Sequence, residues 1–470
     1  MSSTLTRRTK IVCTLGPSTS DPDTIEQLAW AGMDAARLNF SHGVHEEHLE
    51  RLRAVRRAQE LIGRPLAVIA DLQGPKIRVG RLRDPRAVNP GDLLMLSAPG
   101  HGAPGDLDVT FSGLADAVRP GSEVLIDDGR VRLRVVACNG RRVETRVEVG
   151  GLITSSKGVN LPGAALAIPS LTTKDLDDVD FALAHGVDYV ALSFVRSADD
   201  VRELRERIDG AGSSARIIAK IEKGEAIAQL DAIIEASDAV MVARGDLGVE
   251  IGVADVPLVQ KHIIRAARER GRTVITATQM LESMISQPEP TRAEASDVAN
   301  AILDGTAAVM LSGETAAGRY PLEAVSVMAR IARAVEPSLP AHDHRHLPGD
   351  ATSTILSHAA CDIAEELDAA VIAVPTQSGS TARQVSRFRP RRPIVAASPD
   401  GHVLQQLALD WAVVPVQTSE VETIEDLWMG IVEAIRTSAL GRSGDRVVLT
   451  GGTQLNSPGT TNHILVHTME

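Results

Sequence analysis

At 470 residues the chain is long enough for roughly three domains on a prior of about 150 residues each, one of them a barrel near 250. Its net charge of −12 excludes a protein held to nucleic acid by a basic face, and its three cysteines, Cys13, Cys138 and Cys361, lack the spacing of a zinc site or a disulfide framework. No apolar run approaches the ~20 residues of a membrane span and MSSTLTRRTK has no signal core, so a cytoplasmic protein with no membrane partner is expected.

Residues 1–72 hold three strand-like runs, 10–16, 35–41 and 66–71, rich in Val, Ile, Ala and Leu. After the first, Asp21-Pro22 reads as a helix N-cap followed by proline at the first helical position. From 73 to 169 the rhythm changes. Short alternating segments at 130–137 and 142–149, with turns at Asp128-Gly129 and Asn139-Gly140, predict an all-β module inserted between the third strand and its helix. The helical pattern resumes at Ser170 to Asp175, and five further runs follow at 188–194, 217–222, 239–246, 273–278 and 307–314.

Amphipathic patterns such as 256–270 and 291–304 separate these runs, so strands alternate with helices. Eight such units over 1–72 and 170–340 fit an α/β fold of the (β/α)₈ kind, with catalytic groups at the carboxyl ends of the strands. A linker to residue 350 carries His342, His344 and His346. No carboxylate or cysteine frames them, so a solvated linker is expected rather than a metal site. Strands at 370–374, 393–397, 412–416, 446–450 and 463–467 then alternate with helices, a separate α/β domain over 350–470.

Most barrel runs end in polar side chains two apart: Arg37, Asn39 and Ser41; Lys220 and Glu222; Arg244 and Asp246; Thr276 and Thr278; Ser312 and Glu314. Side chains two apart on a strand share a face, so Lys220 and Glu222 point the same way. Glu222 and Asp246 end neighbouring strands, and two such carboxylates suit one hard cation such as Mg²⁺ that also meets a phosphate. Arg37 and Lys220 supply the opposing positive charge that phosphoryl transfer needs. Pairing of Asp246 with Arg244, with nothing bound, is the plainer alternative. Thr278 offers a hydroxyl for a proton relay, or a buried threonine that satisfies backbone.

The segments KIVCTLGPS, ARLNFSHG, GPKIRVG, SSKGVNLPG, AKIEKGEAI, MVARGDLGVE, ATQMLESM and LSGETAAGRYP together closely resemble the pyruvate kinase family, in its order and over nearly the whole chain. The resemblance implies a (β/α)₈ TIM barrel with an inserted all-β lid and a C-terminal α/β regulatory domain. It implies transfer of the phosphoryl group of phosphoenolpyruvate to ADP, giving pyruvate and ATP at the last step of glycolysis, with Mg²⁺ or Mn²⁺, by a homotetramer. Arg37 then matches the substrate-phosphate contact and Lys220 the lysine at the transferring phosphoryl. Glu222 and Asp246 match the metal ligands, and Gly245 and Thr278 lie at the substrate. Arg78 on the hinge, Lys157 on the lid and His42 match nucleotide contacts, with Glu314 supporting Thr278 or Lys220.

Departures from the common pattern carry further expectations. Asn39, Ser41, Asp71 and Leu72 match the potassium site, yet Lys76, with Leu72 and Gln73 upstream, resembles members that do not require K⁺. A tethered ammonium can supply the ion's charge, and K⁺ at 4 Å from it would be repelled by about 4 kcal/mol at an effective dielectric near 20. Asn39, Ser41 and Asp71 would then anchor Lys76 or order the pocket, with no ion in it. The extra carboxyl-terminal domain of some bacterial members is not expected. Thr376, Gln377, Ser378, Gly379, Ser380 and Thr381 resemble the effector loop, which implies a phosphorylated metabolite, or else form an ordinary capped helix. The closing segment 451–462 offers no arginine, which favours a monophosphate. A barrel lyase would leave Arg78 and the lid motif without a task, and a catalytically dead nucleotide sensor would be expected to lack Lys220 or a metal carboxylate.

Overall fold

A computed structural model of the chain describes residues 7–164, 168–340, 351–452 and 461–470. The alternating histidines of the linker and residues 453–460 of the closing segment lie outside them. Eight parallel strands close into a barrel: β1 Lys10–Leu15, β2 Ala35–Asn39, β3 Ala67–Asp71, β4 Tyr189–Leu192, β5 Arg216–Ile221, β6 Ala239–Ala243, β7 Thr273–Ala277 and β8 Ala308–Leu311. Each pairs with its neighbours in sequence, and β8 returns to β1.

Strand periodicity divides the core in two. Val12, Ala35, Ile69, Ala191, Ile218, Met241, Ile275 and Met310 face inward and form one cluster, while Ile11, Cys13, Leu38, Val68, Val190 and Ile217 face the surrounding helices and form another. Alanines alternating with longer side chains fill the narrow interior, which is how a chain with so few aromatic residues packs a barrel. At the floor, Ala408 and Leu409 of the C-terminal domain join the inner cluster, and the Tyr189 hydroxyl donates to the Gln406 carbonyl at 2.9 Å.

The helices begin and end where local chemistry dictates. Asp21 accepts from the Thr24 amide to cap Pro22–Ala31, and Thr291 with Glu294 forms a capping box on Arg292–Asp304, which Gly305 ends in the left-handed conformation. Between β3 and the next barrel helix, Thr173–Ala184, the chain builds a six-stranded sheet with its own core of Leu94, Leu96, Val124, Leu133, Val143 and Val147. Its longest hairpin joins Val131–Asn139 to Arg142–Val149 through the Asn139-Gly140 turn. The last domain carries a five-stranded sheet in the order Val413–Gln417, Ile394–Ser398, Val371–Pro375, Arg446–Gly451, His463–Thr468, with only the final strand antiparallel. Among the described residues no helix is long and apolar enough to cross a membrane.

Candidate active site

The inward register that packs the barrel also delivers its polar mouth. Two residues beyond Val12, Ala35, Ile69, Ala191 and Ile218 on the same face come Thr14, Arg37, Asp71, Ser193 and Lys220. Asp71, fully buried, is the hub: Arg37 Nε lies 2.6 Å from Oδ2 and Lys220 Nζ 3.1 Å from Oδ1. Lys220 Nζ also lies 2.9 Å from Glu222 Oε1 and donates to Ser193 Oγ at 2.7 Å, whose own proton goes to the Leu72 carbonyl. Arg37 Nη1 donates to Thr14 Oγ1 at 3.0 Å. Both cations are thereby fixed with few rotamers left to them.

Burial would raise the Asp71 carboxyl, but Arg37 and Lys220 override it and hold the group below the usual carboxylate range. Burial would likewise lower Lys220, and Asp71 and Glu222 instead keep it above an ordinary lysine, so it stays charged. Glu222 is raised, by burial first and by the Asp246 carboxylate, against the pull of Lys220. Glu222 and Asp246 therefore sit close enough to repel, an oxygen-donor pair whose repulsion a divalent cation relieves. Among the described residues no group of three or more His, Cys, Asp or Glu side chains forms a protein-only metal cage.

Thr278 follows β7 with φ of 69°, a conformation unusual for a β-branched side chain, and Gln279 follows at 53°. Its hydroxyl accepts from the Gly245 amide at 2.8 Å and donates to the Ala277 carbonyl at 2.7 Å. Such strain persists only where the surroundings impose it, and it aims the hydroxyl into the mouth beside Gly245. Arg78 pairs with Gly158 in an antiparallel bridge and donates to the Ser156 carbonyl at 3.0 Å, which sets it next to Lys157. Lys157 is held 2.8 Å from Asp127 within the inserted β module. Burial first, then the charges of Arg78, Arg37 and Lys76, hold His42 below its ordinary value.

The structure decides several of these alternatives. Arg244 pairs with Asp297 at 2.7 Å, not with Asp246, because both open the helix Arg244–Ile251, on which residues two apart diverge. Glu314 accepts from the Leu281 and Ser312 amides and bonds neither Thr278 nor Lys220; it holds the loop after Thr278 through its backbone. Lys76 is not anchored on Asp71, which Arg37 and Lys220 already fill, and its ammonium lies 3.7 Å from Asp246 instead. Asn39 Oδ1 accepts from the Ser41 amide at 3.2 Å, shaping its own turn. In the C-terminal domain Gly379, in the left-handed conformation, caps the short helix Ser380–Ser386, its amide donating to Thr376 Oγ1 at 2.9 Å while Thr381 bonds Thr461. Sequence reasoning missed Ser193 and Thr14, although both stand at strand ends in the inward register.

Fixed cations, paired carboxylates and a strained hydroxyl at the carboxyl ends of one barrel define an enzyme that handles an anionic substrate. The family described as pyruvate kinase, barrel domain, matches residues 6–325, and that described as pyruvate kinase, alpha/beta domain, matches residues 355–467. Over its full length the chain is 44% identical to pyruvate kinase 2 of Synechocystis sp., covering 80% of that protein. It is 45% identical to the pyruvate kinase of Mycobacterium tuberculosis and 44% to that of Corynebacterium glutamicum, over 98% of the chain and 98% and 97% of those proteins. The chain belongs to the pyruvate kinase family, and it is a phosphotransferase.

Proposed function

We propose that the barrel mouth transfers the phosphoryl group of phosphoenolpyruvate to ADP and then protonates enolpyruvate. The observation that carries this is the row Arg37, Asp71, Lys220, Glu222, which holds two cations beside a carboxylate pair. Arg37 binds the substrate phosphate. Lys220 meets the transferring phosphoryl, where negative charge develops, and Ser193 and Asp71 keep its ammonium aimed. Glu222 and Asp246 hold Mg²⁺ or Mn²⁺, which when bound supplies Lewis-acid charge to the phosphoryl oxygens. The Gly245 backbone and Thr278 orient the substrate carboxylate and enol carbon, and the Thr278 hydroxyl passes a proton through water.

ADP lies against Arg78, His42 and, once the lid closes, Lys157. Closure brings the lysine over the phosphates and excludes water, and it requires Lys157 to exchange Asp127 for the nucleotide. Lys76, near Asp246, supplies the charge that K⁺ provides in other members, so no potassium requirement is expected. The enzyme works as a cytoplasmic homotetramer whose C-terminal loop, Thr376 to Thr381, takes a phosphorylated metabolite; the family supports these assignments, and sedimentation and calorimetric titration test them. A lactate dehydrogenase-coupled assay with phosphoenolpyruvate, ADP and Mg²⁺ tests the activity itself: steady pyruvate formation is expected, and its absence from folded protein would refute the reading.

A further inference from the structure

Glu222 and Asp246 carry like charges, and the repulsion between them acts to part the elements that bear them. Glu222 follows β5 directly, and Asp246 stands in the first turn of the helix Arg244–Ile251, which follows β6. The residue after Glu222 is Lys223, and one turn beyond Asp246, on the same face of its helix, is Glu250. Lys223 Nζ lies 2.5 Å from Glu250 Oε1, with side chains only 9% and 2% exposed. A buried attraction thus joins the same two elements that the carboxylate pair pushes apart.

The same ammonium reaches a third element. Lys223 Nζ lies 5.8 Å from the centroid of the Phe194 ring, and the Phe194 amide donates to Glu222 Oε2 at 2.8 Å. Phe194 has φ of 56°, so the turn after β4 that aims this amide is held in a conformation its side chain disfavours. Burial lifts the Glu250 carboxyl above the usual carboxylate range, against the pull of Lys223 and a hydrogen bond from Asn160, with Glu225 adding to the rise. A carboxylate buried in this way stays charged only while its partner is in reach, which commits the two ends of the pair to each other.

We propose that Lys223 and Glu250 are positioning residues whose ion pair sets the separation of Glu222 and Asp246 at which a divalent cation binds. The inference rests on the reading that those two carboxylates hold the metal. Ligands fixed in advance bind a cation more tightly, because the carboxylates need not be drawn together against their repulsion in the same step. A strut of this kind differs in sign from a plain field effect. By its field alone the Lys223 charge would oppose a cation and the Glu250 charge would favour one, so their removal would act in opposite directions. Removal of either end of a strut acts in the same direction.

Titration of the full chain with Mn²⁺ alone, the free ion being read from its electron paramagnetic resonance signal, tests this without turnover. Lys223→Met, which keeps an unbranched chain over Phe194, and Glu250→Gln should each weaken Mn²⁺ binding about tenfold, while Lys223→Arg, which keeps the pair, should stay close to the wild type. In Lys223→Met/Glu250→Leu no buried charge is left unpaired, so Tm should return toward the wild-type value while Mn²⁺ binding stays weak. A pair that served stability alone would not separate Tm from affinity, and the double variant stands as the test should a single variant fold poorly. Mn²⁺ bound by Lys223→Met as tightly as by the wild type, or affinity regained in the double variant, overturns the proposal. Unchanged binding in Asp246→Asn would refute the metal assignment itself and the proposal with it, whereas binding lost there but kept in the Lys223 and Glu250 variants would refute the proposal alone.

Discussion

At the mouth of the barrel, Arg37, Asp71, Lys220 and Glu222 form an unbroken row of opposite charges within 3.1 Å of one another. At the foot, Arg387 and Arg389 donate to backbone carbonyls of the barrel helices, and Asp410 accepts from the Thr273 hydroxyl. Both ends bury charge, but with different results. Opposed pairs position each other and leave one face free for a ligand, while cations that donate to the carbonyls at helix ends fasten two domains together. Burial of charge alone thus does not mark a catalytic site; fixed cations facing carboxylates at strand ends do.

The sharpest way to break the mouth is Lys220→Met. Turnover should fall by orders of magnitude with substrate binding largely kept, because the charge matters most where the transferring phosphoryl becomes more negative. Should kcat stay within about tenfold and only KM rise, the role assigned to Lys220 is wrong.

Asp71→Asn strikes the hub instead. Arg37 and Lys220 would face each other across a neutral amide, so activity should drop well over tenfold and stability by roughly 3–5 kcal/mol, the usual result of breaking a buried pair. Urea denaturation with parallel rate measurements checks both. A fully stable variant with lost activity would make Asp71 a ligand rather than a support.

Thr278→Ala should slow protonation of enolpyruvate more than phosphoryl transfer, since the hydroxyl faces Gly245 and not the carboxylate pair. Exchange of the pyruvate methyl protons with solvent reports the first step alone. Equal losses in both would end that division of labour.

How much of this was legible beforehand follows from periodicity. All eight barrel strands, the insertion after β3 and the five strands of the last domain stand out in the sequence because apolar runs and turn residues mark them locally. The pair Lys220 and Glu222 also read correctly, since the strand alternation carries through to the end of β5. Arg244 and Asp246, and Ser312 and Glu314, misled for the opposite reason. Helices begin at Arg244 and Gly313, so a spacing of two no longer means a shared face, and Glu314 curls back onto nearby amides. The occupancy of Asp71 is a fact of three dimensions that no local spacing encodes: the partners Arg37 and Lys220 come from strands far apart in sequence.

Lys76→Glu sharpens the electrostatic reading of the mouth. The wild type should show no large activation by KCl over tetramethylammonium at saturating Mg²⁺, while the variant, with a carboxylate beside Asp246, should acquire a potassium requirement. Initial rates in the two salts decide it, and strong K⁺ activation of the wild type would sink the assignment of Lys76.

The smallest effect lies at the foot, where His402 of the C-terminal domain sits 3.1 Å from buried Asp188 of the barrel. The hydrogen bond to Asp188 raises the His402 pKa above the ordinary value, with Asp400 adding to it and burial opposing. Arg56 shares the same carboxylate at 2.9 Å, so the histidine is not its sole partner. A raised pKa in the folded state means that the native protein binds this proton more tightly than the unfolded chain does. The stabilisation is therefore complete below the unfolded value of about 6.5 and fades as pH rises through the higher folded value. His402→Gln keeps a hydrogen-bonding side chain but cannot titrate. Between pH 6 and pH 8.5 the wild type should lose slightly more Tm than this variant, with turnover at the distant mouth unchanged. Parallel Tm profiles for the two proteins would show that the pair at the foot, unlike the row at the mouth, contributes nothing that depends on charge.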